Sequence, residues 1–235
     1  VDSGNLLGCL WALEQGLDEL LHAPVLDSNA FEGLRDTAEI LKQAVEEERL
    51  PRFDARGLNG LLDTLETPPA RIADAIRLLR LVEGSVWALA GEVRGSAGAE
   101  TSAAFWAKQM QGQASAWLEI ANRYLAWIEI LGEKTEEEIA QLGRDALLAV
   151  RKDLDRAPSL LDLADDNVAC VHLLASIREA GQADAAPLFD WIDRLVQAFE
   201  ESKWLAGEML SLGRQLILDA RELPCLSYTP PSPRD

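Results

Sequence analysis

The chain has 235 residues, and 48% of them are hydrophobic, which supports a buried core and argues against a disordered chain. Lysine and arginine number 22 against 40 aspartate and glutamate residues, so the formal net charge is −18. This charge repels phosphate groups, and it therefore argues against nucleic acid and anionic membrane surfaces as partners.

Helical periodicity dominates the first half of the sequence, and alternating strand patterns are nearly absent. Pro24 ends the first predicted helix, Asp27 or Ser28 caps the second, and Asp54 caps the third. Two prolines after Thr67 predict the start of a fourth helix, because proline loses no useful N–H in a first turn. The predicted helices cover about residues 5–22, 28–49, 54–65 and 68–93. The second helix places one apolar set on a single face: Phe31, Leu34, Ala38, Leu41 and Val45.

The glycine-rich stretch 95–98 predicts a loop, and the longest helix of the chain is expected after it, at about 100–131. Large side chains recur along this helix in a heptad-like stripe, with Gln113 as its one polar interruption. The stripe consists of Trp106, Met110, Trp117, Ile120, Tyr124, Trp127 and Leu131.

Capping signals organise the remainder of the chain. Thr135 and Glu138 have the spacing of a capping box that opens a helix to about residue 154, and Ser159 with Asp162 repeats this pattern. Gly181 closes a helix over about 166–180. A final long helix is expected at about 187–220, followed by a tail with four prolines that is predicted to be extended or disordered.

These elements predict an all-α fold: a bundle of about seven to nine helices, several of them long and antiparallel, without a sheet. We expect residues 1–220 to form the bundle, with two subdomains as an alternative that would meet near 95–99, and residues 221–235 to form the tail. There is no apolar run long enough to suggest membrane insertion by this segment.

Few residues suggest chemistry. His22 and His172 have no metal-binding partners at suitable spacing, and the three cysteines are too few and scattered for a zinc site or disulfide framework. The sequence therefore predicts no catalytic residue, no metal site and no cofactor. The acidic runs 46–48 and 136–138 are interpreted as solvated helix faces, since consecutive side chains point around a helix. The seven tryptophans are interpreted as core residues at helical spacing, although tryptophan can also stack on sugar rings.

Three segments resemble one protein family. The opening residues Val1-Asp2-Ser3-Gly4-Asn5-Leu6, continued by Gly8 and Leu10, are similar to the VDSGNLAG-L block of the cyclic β-1,2-glucan synthases. Residues 157–164 (APSLLDLA) are similar to a Pro-Ser-Leu-x-Asp-Leu-Ala segment of those enzymes, and the Trp/Ala-rich helix over 105–128 is of the same style.

This resemblance implies a large bacterial membrane-bound parent, with a glycosyltransferase module that uses UDP-glucose, a middle cyclising module and a phosphorylase-like module. The chain would be an internal helical part of the middle region, on the cytoplasmic side of the inner membrane. In the family an MDF-x-FLYD block follows this part, and the catalytic carboxylates lie elsewhere. The family match makes Asp2, Ser3 and Asn5 candidates to face a glucan, whereas their residue types favour a role as caps of the first helix.

Three functions follow from this sequence. The first is a non-catalytic scaffold segment of such a synthase, with the remaining modules of the parent as partners and β-1,2-glucan as a further candidate partner. The second is a β-glucan-binding module that uses tryptophans. The third is a helical interaction domain that uses the Trp106–Leu131 stripe as its contact surface.

Overall fold

The computed structural model describes residues 3–50, 53–98, 100–181 and 186–226, and it describes side chains over 8–50, 53–98, 100–181 and 188–222. Within these ranges the protein is all-α, as the periodicity predicted, and it has no β-strand. An isolated β-bridge joins Pro24 and Ser159. No helix of the described ranges combines the length and hydrophobicity needed to cross a membrane.

Eight helices of eleven or more residues and three short ones make up this part of the chain. Their bounds are α1 Ser3–His22, α2 Ser28–Glu48, α3 Ala55–Leu65, α4 Ile72–Ser96, α5 Ser102–Tyr124, α6 Ala126–Leu131, α7 Glu136–Ala140, α8 Arg144–Leu154, α9 Leu160–Ala164, α10 Ala169–Glu179 and α11 Ala186–Leu226.

Side-chain caps begin several of these helices where the sequence predicted them. Asp27 accepts the N–H of Asn29 at 3.0 Å at the start of α2, and Asp54 caps α3 in the same way. Both predicted capping boxes form, at Thr135 for α7 and at Ser159 for α9. The cap oxygens satisfy helical N–H groups that have no partner within the helix.

The start of α4 differs from the prediction. The helix begins at Ile72 and not directly after Thr67, and Arg71 is its N-cap. A residue that precedes proline is disfavoured in helical conformation, so the pair Pro68-Pro69 keeps the preceding backbone extended. At the other end α4 continues to Ser96, so the predicted loop begins only at Ala97.

Two helices that were predicted as continuous are broken. The expected helix over about 100–131 divides at Leu125, where the backbone leaves helical geometry (φ −125°, ψ 13°). The Tyr124 carbonyl, freed by this break, accepts the indole N–H of Trp127 at 3.2 Å. The expected helix from Thr135 to about residue 154 divides at Gly143, whose φ of 116° is accessible to glycine and strained for other residues.

The longest helix is α11, with 41 residues, and not the helix that follows the loop near residue 98. It continues to Leu226, so residues 221–226 are helical although they were predicted to belong to an extended tail. Residues 227–235 lie outside the described part.

The core is built from the predicted apolar faces. The α2 set Phe31, Leu34, Ala38, Leu41 and Val45 is buried. Buried residues on both sides of the loop near 97–101, including Val93 of α4 and Ala103 of α5, belong to one cluster. Burial of each large apolar side chain contributes about 1.5–3 kcal/mol, so this cluster is the main source of stability.

Helix α5 lies between α2 and α4, while α11 packs along α6, α9, α10 and α1. The α1–α11 pair is antiparallel: Arg221 near the end of α11 binds Glu14 of α1 at 2.7 Å, and Gly213 lies against Leu21. A smaller apolar cluster around Leu21, Leu210 and Ile217 holds this pair together.

Candidate functional site

The three residues that the family resemblance singled out lie at the start of the chain. Asp2 is outside the described residues. Ser3 and Asn5 belong to the first turn of α1, but their side chains lie outside the described part. Both roles predicted for them, helix capping and contact with a glucan, therefore stay predictions.

Both histidines make local contacts with backbone carbonyls. His22 Nδ1 donates to the Asp18 carbonyl at 2.8 Å, and His172 Nε2 donates to the Asp166 carbonyl at the same distance. The His172 ring also lies 3.3 Å from the Asp166 carboxylate, which in turn accepts a bond from Lys203 at 2.9 Å. This bond raises the pKa of Lys203. The cluster fastens the loop before α10 to α11.

The acidic run 46–48 contains two exposed residues and one residue that contacts another helix. Glu46 and Glu47 are exposed, whereas Glu48 is half-buried and accepts the backbone N–H groups of Ser102 and Ala103 at 2.7 and 3.2 Å. The reading of residues 46–48 as a solvated face is therefore correct for the first two and wrong for Glu48. Sequence spacing gave no signal of this contact, since the partners are 54 and 55 positions apart.

The second acidic run contributes to caps and ion pairs. Glu136 binds Arg151 at 2.5 Å, and this bond lowers the pKa of the carboxyl. Glu138 closes the Thr135 capping box, and the backbone N–H of Thr135 together with Lys134 lowers its pKa as well. Among the described residues, no group of three or more histidine, cysteine or acidic side chains is arranged to hold a metal ion.

Cys170 is fully buried at the start of α10. Burial and the nearby Asp153 carboxylate raise the pKa of its thiol far above the ordinary range. Because the thiolate is the reactive form, this thiol is inert in the folded protein. Cys9 is exposed on α1.

The tryptophans divide into buried and exposed groups. Trp127 and Trp191 are buried, and Trp106 and Trp117 of the α5 stripe are half-buried. Helical spacing favoured core positions for the tryptophans and left their exposure open. Trp11, Trp87 and Trp204 are exposed by 63%, 50% and 64%. Periodicity within one helix does not reveal whether another helix covers such a face.

Trp87 lines a groove of about 490 Å³ between α4 and α5. Its indole N–H donates to the Ser115 hydroxyl at 3.4 Å, and that hydroxyl donates to Glu83 at 3.2 Å. Arg94, Lys108 and Gln111 also line the groove, together with three alanines and Gly112. The groove therefore combines an exposed aromatic face with several hydrogen-bonding groups.

A second groove, of about 510 Å³, lies between α1, α5 and α11. Its walls are mainly apolar and include Leu20 of α1, Ile120 of α5 and Leu212 of α11. Leu20 and Leu212 are exposed by 66% and 53%. Uncovered leucines of this kind, grouped in a concave surface, are typical of a contact site.

Comparison with known proteins finds no match to a family model, a curated protein or a solved structure. The resemblance of the opening residues to the glucan synthases therefore stays a prediction.

Proposed function

We propose that this chain is a non-catalytic helical scaffold segment of a cyclic β-1,2-glucan synthase. In this role it supports glucan synthesis and cyclisation by neighbouring modules of the parent. The motif-like opening Val1–Leu6 suggests the parent, and α1 begins within this motif at Ser3.

The antiparallel packing of α1 on α11 is the observation that carries the scaffold role. The Glu14–Arg221 ion pair and the Leu21–Gly213 contact fix the direction of the pair. The start of α1 and the end of α11 therefore lie at the same end of the bundle. In a multi-module protein, a helical bundle with both ends at the same end can be inserted between two modules while those modules stay close together.

Three glutamates that could suggest acid–base chemistry hold helices in place. Glu48 and Glu138 serve as helix caps, and Glu133 binds Arg194 of α11 through both carboxylate oxygens. Contacts of this kind orient elements, and they favour a structural role over a catalytic one.

Two measurements test this function. The isolated chain should neither hydrolyse nor transglycosylate linear β-1,2-glucan, with or without UDP-glucose, and clear turnover would contradict the proposal. The gene that encodes the chain should also encode a downstream MDF-x-FLYD block, and a different continuation would remove the suggested parent.

The role within the parent has its own test. Leu21→Asp places a carboxylate in the buried α1–α11 contact, and the parent synthase that carries it should make less cyclic glucan. Ala12→Asp, on the exposed side of α1, is the matched control and should retain full synthesis. Equal yields from the two variants would show that this pair does not support cyclisation.

The Trp87 groove favours a second function, the binding of a neutral saccharide. The exposed indole face suits the CH face of a pyranose ring, while Lys108, Gln111 and Ser115 can bind hydroxyl groups. Linear β-1,2-glucan oligosaccharides should change the tryptophan fluorescence of the chain, and Trp87→Ala should abolish this change. Trp204→Ala, which removes a similarly exposed ring from α11, is the control. An unchanged signal at millimolar saccharide would exclude this function.

A further inference from the structure

We propose that the groove between α1, α5 and α11 receives an amphipathic helix whose apolar face is flanked by lysine or arginine, supplied by another protein segment. The groove extends for about two helical turns along α11, from Met209 to Leu216. Leu17 and Leu20 of α1 form a further part of its lining, and Ile120 lies on the α5 side.

The spacing on α11 indicates that the partner is a helix. This helix carries two apolar stripes, and the first is covered by its neighbours: Ala206, Leu210, Gly213, Ile217 and Ala220 are buried. The second stripe consists of Leu205, Met209, Leu212 and Leu216. Its steps of four, three and four residues are those of a helix–helix seam. Its last three members are exposed by 37%, 53% and 43%, so within the described residues the seam has no partner along the part that lines the groove.

The groove has the form that an amphipathic helix requires. Side chains of α1 and α5 line the groove together with the exposed α11 stripe, so this apolar surface is concave and not flat. Such a groove receives side chains at positions i, i+3 or i+4, and i+7 of an inserted helix. Leu20, at 66% exposure, is placed to become buried on insertion.

The acidic side chains at the edges of the groove favour a partner helix with basic residues beside its apolar face. Glu119 lines the α5 wall, and Glu208 precedes Leu212 by one helical turn on α11. Asp219 follows Leu216 at a spacing of three, and all three carboxylates are exposed. Arg123 is a single basic side chain on the lining. A partner with basic flanks complements these edges. A second copy of the chain, also with net charge −18, would be repelled.

The experiment uses a labelled synthetic peptide of about five turns, with leucine at heptad positions a and d and lysine at e and g. We expect saturable binding to the full chain by fluorescence anisotropy. Two control peptides separate the contributions: one has glutamate at e and g, and the other has the same composition in a scrambled order. Both should bind at least about tenfold more weakly.

Matched variants locate the binding. Leu212→Glu introduces a charge into the groove and should weaken binding of the lysine peptide by at least about tenfold. Leu218→Glu makes the same change at a similarly exposed position outside the groove lining, and it should leave affinity unchanged. Equal binding of the scrambled peptide, or equal affinity of the two variants, would overturn the proposal. Dimerisation of the chain that Leu212→Glu abolishes would overturn it too, because a second copy would then be the occupant.

Discussion

Glu48, the last residue of α2, accepts the backbone N–H of Ser102, the first residue of α5, at 2.7 Å. The same carboxylate oxygen accepts the N–H of Ala103. The hydroxyl of Thr101, the N-cap residue of α5, accepts the N–H of Ala104. A carboxylate at this position satisfies unpaired N–H groups and interacts favourably with the helix dipole. One side chain thus joins two helices that are separated by the whole of α3 and α4.

Loss of this contact should destabilise the protein. Glu48→Ala should lower the free energy of unfolding by about 1–2 kcal/mol, since it leaves two N–H groups of α5 without their acceptor. Glu48→Gln should cause a smaller loss, because it keeps an acceptor and removes only the charge. Urea unfolding followed by circular dichroism measures both. Glu47→Ala is the control, since Glu47 is exposed and bonds only within its helix in the described structure. A loss at position 47 as large as that at position 48 would contradict the cap.

The ion pair between Glu133 and Arg194 should make stability depend on pH. The Arg194 hydrogen bonds lower the pKa of Glu133 below its ordinary value of 4.5. A carboxyl whose pKa is lowered by folding stabilises the folded state above its unfolded pKa, and this contribution is lost as the pH falls through the folded pKa. Glu133→Gln should therefore be less stable than the wild type at pH 7.

The stability difference between wild type and Glu133→Gln should shrink below pH 4.5 and vanish once the pH is below the lowered pKa. Thermal unfolding at a series of pH values measures this difference. Glu137→Gln supplies the control, since Glu137 is an exposed glutamate of the same region. A difference that persists unchanged at the lowest pH would assign the effect to packing and not to charge.

The division of the tryptophans predicts contrasting effects on stability. Trp127 is fully buried, and its ring meets Phe199 of α11 edge-on at 5.7 Å. Trp127→Ala should lower the free energy of unfolding by about 3–5 kcal/mol, because it opens a large cavity at the α6–α11 contact. Trp204→Ala, at an exposed site, should change it by less than about 0.5 kcal/mol. Chemical denaturation of both variants tests this, and similar losses would show that Trp204 is covered in solution.

The close approach of α1 and α11 depends on Gly213. A Cβ atom at this position would lie 2.9 Å from Leu21 Cδ2, whereas a Cβ at Gly207 meets nothing within 4 Å. Gly213→Val should therefore cost about 1–3 kcal/mol by overpacking. Gly207→Val, the matched control, should be neutral or slightly stabilising, because valine is the better helix former.

Hydrogen exchange localises the effect of Gly213→Val. The amides of α1 should exchange faster in this variant, while those of α2 and α5 keep their protection, because α1 is held mainly by the small cluster around Leu21. A uniform increase across the bundle would indicate instead that α1 unfolds together with the main core.

For the fold, the sequence alone determined the features that depend on residues close together in the sequence. The caps at Asp54, Thr135 and Ser159, and the buried face of α2, follow from local spacing and from the geometry of a single helix. For α2 the sequence left Asp27 and Ser28 as alternatives, and the structure has Asp27 as the cap. The all-α class follows from the same periodicity. Asp2, Ser3 and Asn5 were named by sequence alone, and their roles stay predictions.

Only the tertiary structure decided which side chains meet and which remain uncovered. Gln113, a polar interruption of the α5 stripe by sequence, lies beside α2, where its Oε1 is 2.9 Å from the Thr37 hydroxyl. Trp87 and Leu212 have the helical spacing of core residues, yet both are exposed and line grooves. The physical reason is that periodicity defines the faces of one helix, whereas burial depends on whether another helix, distant in sequence, packs against each face.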